Sequence, residues 1–258
     1  MSTIDNKDLA AGRAEKIVQI LRQRHIVRVN DLCRELAASP ASIRRDLAGM
    51  ESRGLLQRVH GGAVFNDNRV EEPLFDDKAT LAAKEKQRIA EAALTFIKPN
   101  DSIFLDGGST VLALARLLTD MTKLTVVTNS LRVAGTFAGS GPKMILVGGE
   151  FRRLSQTFVG PLTRSLIDNL HLDSAFMGTI GLTEEEITTT DPAEAYTKDL
   201  IMRHARQVIL LADSSKIGKV SFVRSGALGD LDLLVTDSGA GLKIVQKFRK
   251  RGIKVVVV

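Results

Sequence analysis

From residue 81 onward, the chain repeats one pattern, in which a short apolar run ends in polar or glycine residues and a helical segment usually follows. The runs are SIFLD, LTVVTN, KMILVGG, SAFMG, QVILLAD and LDLLVTD, and a final KVVVV closes the chain. Strands that are apolar on both faces are typical of mostly parallel sheets covered by helices. The pattern therefore predicts an α/β domain over residues 81–258.

Positive charge is concentrated ahead of this domain. The 258-residue chain carries a net charge of +6. Residues 13–65 contain ten Lys or Arg against five Asp or Glu, so one fifth of the chain holds nearly all of the excess. A basic segment of this kind favours a polyanionic partner.

The basic segment has the pattern of a small α+β domain, a winged helix-turn-helix over residues 1–65. Helices are predicted over 13–23, over 31–36 with Asn30 as the N-cap, and from Pro40 with Ser39 as the N-cap and Gly54 as the terminator. The sequence IVRV is β-like, and strands are predicted over 55–59 and 63–65. Residues 66–80 are polar, lack periodicity and are predicted to be a linker.

The helix that begins at Pro40 divides into two faces. Its apolar stripe, expected to face the domain core, is Ile43, Leu47 and Met50. Its opposite face carries Ala41, Arg44, Arg45 and Ala48. Small residues let a helix approach a surface, and arginines donate paired hydrogen bonds to base edges, so this face predicts a recognition helix for a DNA major groove. Asp46 lies nearer the core and is expected to form a structural ion pair.

Other polar groups around this helix suit the DNA backbone. The hydroxyls of Ser39 and Ser42 stand at the positive end of the helix, where a phosphate would bind. Further candidates for contacts with DNA are the glycines of the hairpin tip, Gly61 and Gly62, and the donors Arg28, Arg58 and His60. A solvated basic helix beside an idle hairpin is the alternative. The order of three helices followed by a basic hairpin favours DNA binding.

Small polar residues follow several strands of the second domain. They are Asp106, Gly107, Gly108, Ser109 and Thr110, then Thr128, Asn129 and Ser130, then Gly148 and Gly149, and finally residues 213–216 with Lys216. Ligands bind beyond the carboxyl ends of parallel strands, and glycine amides with hydroxyls at a helix start can cradle a phosphate. One such turn alone is more often only a turn, but several converging loops predict an anion site.

The stretch ASIRRDLAGMESRGLLQRVHGGAVF closely resembles the N-terminal signature of the DeoR/GlpR family of bacterial transcriptional regulators. The resemblance extends along nearly the whole chain. It implies a repressor, usually of carbohydrate catabolic genes, that binds double-stranded operator DNA as a homo-oligomer, either a dimer or a tetramer. It also implies that Arg44 and Arg45 face the DNA.

The second domain resembles the effector domain of the same family. The matching segments are residues 106–110, 128–130, 148–149, 176–181, 188–195 and 213–216, and they add Gly178, Gly181, Asp191 and Glu194 to the implied effector site. The first segment departs from the family pattern, since Gly107 replaces a serine and Ser109 a threonine. The fold is similar to the ribose-5-phosphate isomerase and CoA-transferase superfamily, which implies a sugar phosphate as effector.

Two other functions stay open at this point. Asp106, Glu194 and Lys216 could form an acid/base set for aldose–ketose isomerisation, which would make the chain an isomerase-like enzyme with a fused nucleic-acid-binding module. An activator of the same architecture is equally compatible with the motifs. The attached DNA-binding domain favours sensing over turnover, so no enzyme activity is expected.

The remaining composition limits the environment of the chain. Cys33 is the single cysteine, and the four histidines do not combine with it at metal-ligand spacing, so neither a disulfide, a metal site nor a cofactor is expected. No apolar segment reaches the length of a signal peptide or a membrane span. We therefore expect a cytoplasmic protein that has no membrane partner.

Overall fold

The structure, a computed structural model, describes residues 13, 16–17, 20–21, 24, 26–51, 56–59, 61–65, 75–139 and 141–258. The chain forms two compact units, residues 1–69 and 70–258. Of the described helices, none is both long and apolar enough to cross a membrane.

The first unit combines helices with a three-stranded antiparallel sheet. Its elements are β1 (Ile26–Arg28), α1 (Val29–Leu36), α2 (Pro40–Glu51), β2 (Leu56–Val59) and β3 (Gly62–Phe65), and described positions between 13 and 24 are also helical. The strand order is β1-β3-β2. Two helices in short succession followed by a β-hairpin confirm the predicted winged helix-turn-helix.

The apolar stripe of α2 packs as its periodicity predicts. Ile43, Leu47 and Met50 are buried, together with Ile17 and Leu21 from the preceding helical positions. The Ser39 hydroxyl accepts a hydrogen bond from the Ser42 amide at 3.2 Å, which caps the start of the helix. The predicted helix terminator, Gly54, lies outside the described residues.

The second helix starts earlier than the sequence predicts. It begins at Val29, with Arg28 as its N-cap and no side-chain cap, whereas Asn30 was predicted to cap a helix over 31–36. The reason is packing, because Val29 and Leu32 are both buried in the core of this unit. Asn30 is exposed inside the first turn.

A seven-stranded sheet, parallel throughout, forms the centre of the second unit. In spatial order its strands are β15 (Lys254–Val257), β14 (Leu233–Thr236), β12 (Val208–Leu211), β9 (Ser174–Met177), β4 (Ser102–Leu105), β5 (Thr125–Thr128) and β6 (Lys143–Leu146). Every apolar run singled out in the sequence forms one of these strands, and β9, β12 and β14 are buried along their whole length. The predicted α/β fold is confirmed.

Helices flank the sheet, and two smaller β structures lie beside it. The helices are α3 (Phe75–Thr80), α4 (Ala83–Leu94), α5 (Ser109–Arg116), α6 (Leu131–Thr136), α7 (Arg164–Ile167), α8 (Pro192–Arg203) and α9 (Leu242–Lys250). β7 (Glu150–Arg152) and β8 (Thr157–Val159) form a hairpin, while β10 (Gly181–Leu182), β11 (Glu186–Thr189) and β13 (Val223–Ala227) form a small antiparallel sheet. The sequence analysis did not predict these short strands.

The end of the predicted linker belongs to the folded second unit. Residues 75–80 form α3, although they were assigned to a linker over 66–80. Phe75 is buried in the apolar core that also contains Ile89 and Val111, and Lys78 is buried as well. Two buried side chains in a polar stretch are too few to produce a periodic signal. Residues 66–74 lie outside the described part of the chain.

Candidate DNA-recognition surface and ligand cleft

The outer face of α2 carries the predicted recognition residues. Ala41, Arg44 and Arg45 are exposed, and Ser42 is half-buried beside the exposed Ser39. Within the described residues, neither arginine has an acidic partner in ion-pair distance. Two exposed guanidinium groups on a helix with small neighbours can therefore reach a nucleic-acid groove without first breaking a salt bridge.

Asp46 has the structural role predicted for it. Its carboxylate accepts hydrogen bonds from Nε and Nη2 of Arg13 at 2.5 and 3.3 Å. This hydrogen bond raises the pKa of Arg13, with a smaller Coulomb contribution from the same carboxylate, while burial acts in the opposite direction. The pair joins α2 to the helical positions between residues 13 and 24.

The two glycines of the hairpin between β2 and β3 lie in different environments. Gly61 is exposed with φ +80°, a conformation that favours glycine, and its carbonyl accepts a 2.9 Å hydrogen bond from the Val29 amide. Gly62 is buried in β3, where a Cβ atom would overlap the Val27 carbonyl. The prediction that Gly62 forms part of an open tip is therefore wrong, since this glycine is needed for strand packing.

The flanking basic groups are only partly described. Arg28 is exposed at the end of β1. Arg58 is exposed, and its guanidinium lies 3.8 Å from a Glu51 carboxylate oxygen, so it shares its charge with an acidic neighbour. His60 lies outside the described residues. The DNA contacts of all these residues stay predictions.

A cleft lies in the second unit, at the carboxyl ends of β12, β9 and β4. The chain order of the strands reverses between β4 and β9, which is the position where open parallel sheets bind ligands. Residues 107–111, 178–180 and 211–213 line the cleft, and so does Ser155 from the loop of the β7–β8 hairpin. Three neighbouring strand ends therefore converge on one cleft. Of the four strand ends predicted from the sequence, those of β4 and β12 line it and those of β5 and β6 do not, while Gly178 at the end of β9 was implied by the family resemblance.

A glycine turn and a helix start form one side of the cleft. Gly108 has φ +144° and is the N-cap of α5, and no side chain caps that helix. The first amides of a helix have no acceptor within the helix, and Ser109, Thr110 and Val111 all line the cleft. These amides and the Ser109 hydroxyl can donate to an anion, as the macrodipole of α5 also favours.

A buried ion pair forms the base of the cleft. The Lys198 ammonium contacts the Asp106 carboxylate, and it donates to the Gly178 carbonyl at 3.1 Å. The same Asp106 oxygen accepts the Gly178 amide at 3.0 Å, and Glu194 lies 3.6 Å from Lys198. Asp106 therefore lies beneath the cleft and holds Lys198 in place, whereas Glu194 and Lys198 line it.

Lysines give the cleft an excess of positive charge. Lys78, Lys86, Lys198 and Lys216 line it, against the two carboxylates Glu194 and Asp213. Burial lowers the pKa of Lys86; Asp213 opposes this shift, while the charges of Lys216 and Lys78 add to it. A cleft with this balance favours an anionic ligand.

Several predicted effector residues lie outside the lining of this cleft. They stabilise neighbouring loops instead, because Thr128 donates to the Leu105 carbonyl, Ser130 caps α6, and Asn129 donates to the Phe158 carbonyl. Asp191 caps α8 by accepting the Glu194 amide. Gly149 and Gly181 pack closely against backbone atoms, and Gly148 is exposed.

Two family descriptions match the chain along most of its length. Residues 13–69 match the DeoR-like helix-turn-helix domain, and residues 81–238 match the DeoR C terminal sensor domain. The chain belongs to the DeoR family.

Relatives of this DeoR-family chain are named as regulators. The HTH-type transcriptional regulator GolR of Listeria innocua is 34% identical over 247 residues, covering 95% of this chain and 97% of that protein. The lactose phosphotransferase system repressor of Staphylococcus epidermidis is 34% identical over 230 residues, covering 88% of this chain and 91% of that protein. The DeoR-family chain is accordingly a transcriptional regulator.

A solved structure also aligns with part of the chain. Ribose 5-phosphate isomerase A from Methanocaldococcus jannaschii aligns with a TM-score of 0.38 and 17% identity, over 51% of this chain and 53% of that one.

The sequence analysis missed several cleft residues of this DeoR-family regulator, among them Lys86, Lys198 and Ser155. Lys86 begins the stripe that continues with Ile89, Ala90 and Ala93, and a lysine on an apolar stripe is a usable signal. Lys198 follows Glu194 by four residues on α8, a spacing that pairs charges. Ser155 lies in a polar loop and gives no signal. In the described part of the chain, no three His, Cys, Asp or Glu side chains cluster as a metal site requires.

Proposed function

We propose that this protein is a repressor of a carbohydrate catabolic operon and that a sugar phosphate releases it from its operator. The observation that carries the proposal is the cleft at β4, β9 and β12, where an uncapped helix start and four lysines meet two carboxylates. A ligand that fits this combination has an anionic group and several hydroxyl groups.

The donors and acceptors of the cleft suit the two parts of such a ligand. Amides of α5 and the nearby lysines provide donors for phosphate oxygens. Glu194 and Asp213 provide acceptors for sugar hydroxyls, and Ser155 can donate or accept. A relative named lactose phosphotransferase system repressor supports a sugar-related ligand and target operon.

Repression requires the exposed face of α2 to read an operator. Homo-oligomers, either dimers or tetramers, would place two such helices on two half-sites of double-stranded DNA. Induction then requires the ligand to bind better to the state that does not bind DNA, with a coupling free energy of about 1–3 kcal/mol.

Fluorescence anisotropy tests this proposal directly. The labelled DNA is the region upstream of the protein's own gene, titrated at fixed salt with and without glucose 6-phosphate, fructose 1-phosphate and other sugar phosphates. We expect tight binding that one phosphate releases and its dephosphorylated sugar does not. Release by the plain sugar would refute the phosphate requirement, and tighter DNA binding with ligand would refute induction.

A further inference from the structure

Lys86 connects the cleft to the chain segment that precedes α4. Its side chain is 4% exposed and lines the cleft. Its ammonium donates to the carbonyls of Lys78 and Leu81 at 2.5 and 2.6 Å. One side chain therefore faces the ligand site and also holds the end of α3.

The segment held in this way is short and contains an unfavourable turn. The helix α3 has six residues, and Ala82, which follows it, has φ +51° and ψ +39°, a left-handed conformation that favours glycine. Leu81 is 57% exposed and contributes little packing. The Lys86 ammonium thus satisfies two carbonyl groups at the end of a helix too short to be stable alone.

Electrostatics favours a new hydrogen-bond partner for the Lys86 ammonium when an anion binds in the cleft. Lys78 and Lys216 line the same cleft, and their charges disfavour the charged form of Lys86. A phosphate dianion would reverse this repulsion, and charge-assisted hydrogen bonds to phosphate are stronger than those to a neutral carbonyl. Lys86 therefore has more to gain from a phosphate oxygen than from the Lys78 or Leu81 carbonyl.

We propose that a bound phosphate group takes the Lys86 ammonium from the carbonyls of Lys78 and Leu81, and that this exchange loosens residues 75–82. These are the first described residues of the second unit, which follows the DNA-binding unit in the chain. The exchange is the first step by which the ligand acts on the chain toward the DNA-binding unit. This inference rests on the proposed function, because it requires a phosphate in the cleft.

Hydrogen–deuterium exchange on the full chain tests the proposal. The probes are inorganic phosphate, glucose 6-phosphate and fructose 1-phosphate, with chloride at equal ionic strength as the blank. We expect slower exchange at residues 109–111, which reports binding, together with about tenfold faster exchange at residues 75–82.

Two substitutions at Lys86 and one matched control sharpen the test. Lys86→Met should give fast exchange at residues 75–82 without ligand and no further change with it. Lys86→Gln should also lose the response, since its amide can donate to a carbonyl but carries no charge. Lys84→Met alters an exposed lysine on the same helix and should behave as the unaltered protein does.

The outcomes separate this inference from the proposed function. Protection at residues 109–111 without faster exchange at 75–82 would overturn the inference and leave phosphate binding intact. A normal response in both Lys86 variants would overturn it in the same way. If none of the probes protects residues 109–111, phosphate binding itself fails, and the inference is overturned with it.

Discussion

At the scale of single residues, Arg44 and Arg45 are the side chains that we predict to read the base sequence of the operator. They are adjacent and exposed on the outer face of α2, with no acidic partner among the described residues. We expect Arg44→Ala and Arg45→Ala each to cost about 1–3 kcal/mol of operator discrimination, because each removes paired hydrogen bonds to a base. Competition anisotropy with operator and scrambled DNA measures this ratio.

A matched control is Arg34→Ala. Arg34 is exposed on α1, but it is paired with Asp31 on the same helix. Its removal should leave the discrimination ratio unchanged. If both α2 variants keep full selectivity, the assignment of α2 as the recognition helix is wrong.

The buried Lys86 makes stability depend on pH. Burial lowers the pKa of Lys86 below its ordinary value of 10.5. At pH values between the lowered pKa and 10.5, the unfolded chain therefore binds more protons than the folded chain. Stability contributed by Lys86 therefore rises with pH across that window. In urea unfolding, the free energy of unfolding should rise with pH more in the unaltered protein than in Lys86→Met. Parallel pH curves for these two proteins would contradict this, and Lys84→Met should match the unaltered curve.

At the scale of elements, Gly62 is required by the antiparallel pairing of β1 with β3. Gly62→Ala would push a methyl group into the Val27 carbonyl, and we expect a loss of about 2–3 kcal/mol in the free energy of unfolding. Gly49 lies within α2 with open space around its Cβ position. Gly49→Ala should instead stabilise the unit by about 0.5–1 kcal/mol. Denaturant unfolding of both variants measures the contrast, and equal effects would refute it.

The elements also differ in how well the sequence predicted them. Each strand of the main sheet is an apolar run in the sequence, so all seven were predicted, and the central strands β9, β12 and β14 are buried on both faces. The strand β10 has only two residues, β11 has the sequence EITT with a single apolar residue, and α3 buries only Phe75 and Lys78 among its described side chains. Such elements depend on neighbours distant in the sequence, which a local pattern does not contain.

The same reason explains why only some of the residues predicted to line the cleft do so. Glycines and hydroxyls at strand ends were predicted from the rule that ligands bind there, and Gly107, Gly108, Ser109 and Thr110 do line it. Thr128 and Ser130 share that pattern but satisfy nearby backbone groups. Only the spatial order of the strands, with β5 one step farther from β9 than β4 is, separates the two cases.

At the scale of the whole molecule, the positive charge of residues 13–65 should make DNA binding dependent on salt. Removing one side chain that binds a DNA phosphate reduces the slope of log affinity against log salt by about 1. We expect Arg28→Ala to weaken the binding of operator and scrambled DNA alike and to flatten that slope by about one. Titrations at several salt concentrations measure it. Weaker binding of operator DNA alone would instead make Arg28 a base-reading residue.

The packing of Gly107 against Thr157 has a consequence for how sequences in this family diverge. A Cβ atom at position 107 would overlap the Thr157 methyl group, so the serine of the family pattern cannot enter this chain alone. Residues 107 and 157 should therefore change together among relatives, with a smaller side chain at 157 wherever serine occupies 107. The glycine that departs from the pattern would then be one half of a paired substitution, whose other half is Thr157 on the β7–β8 hairpin.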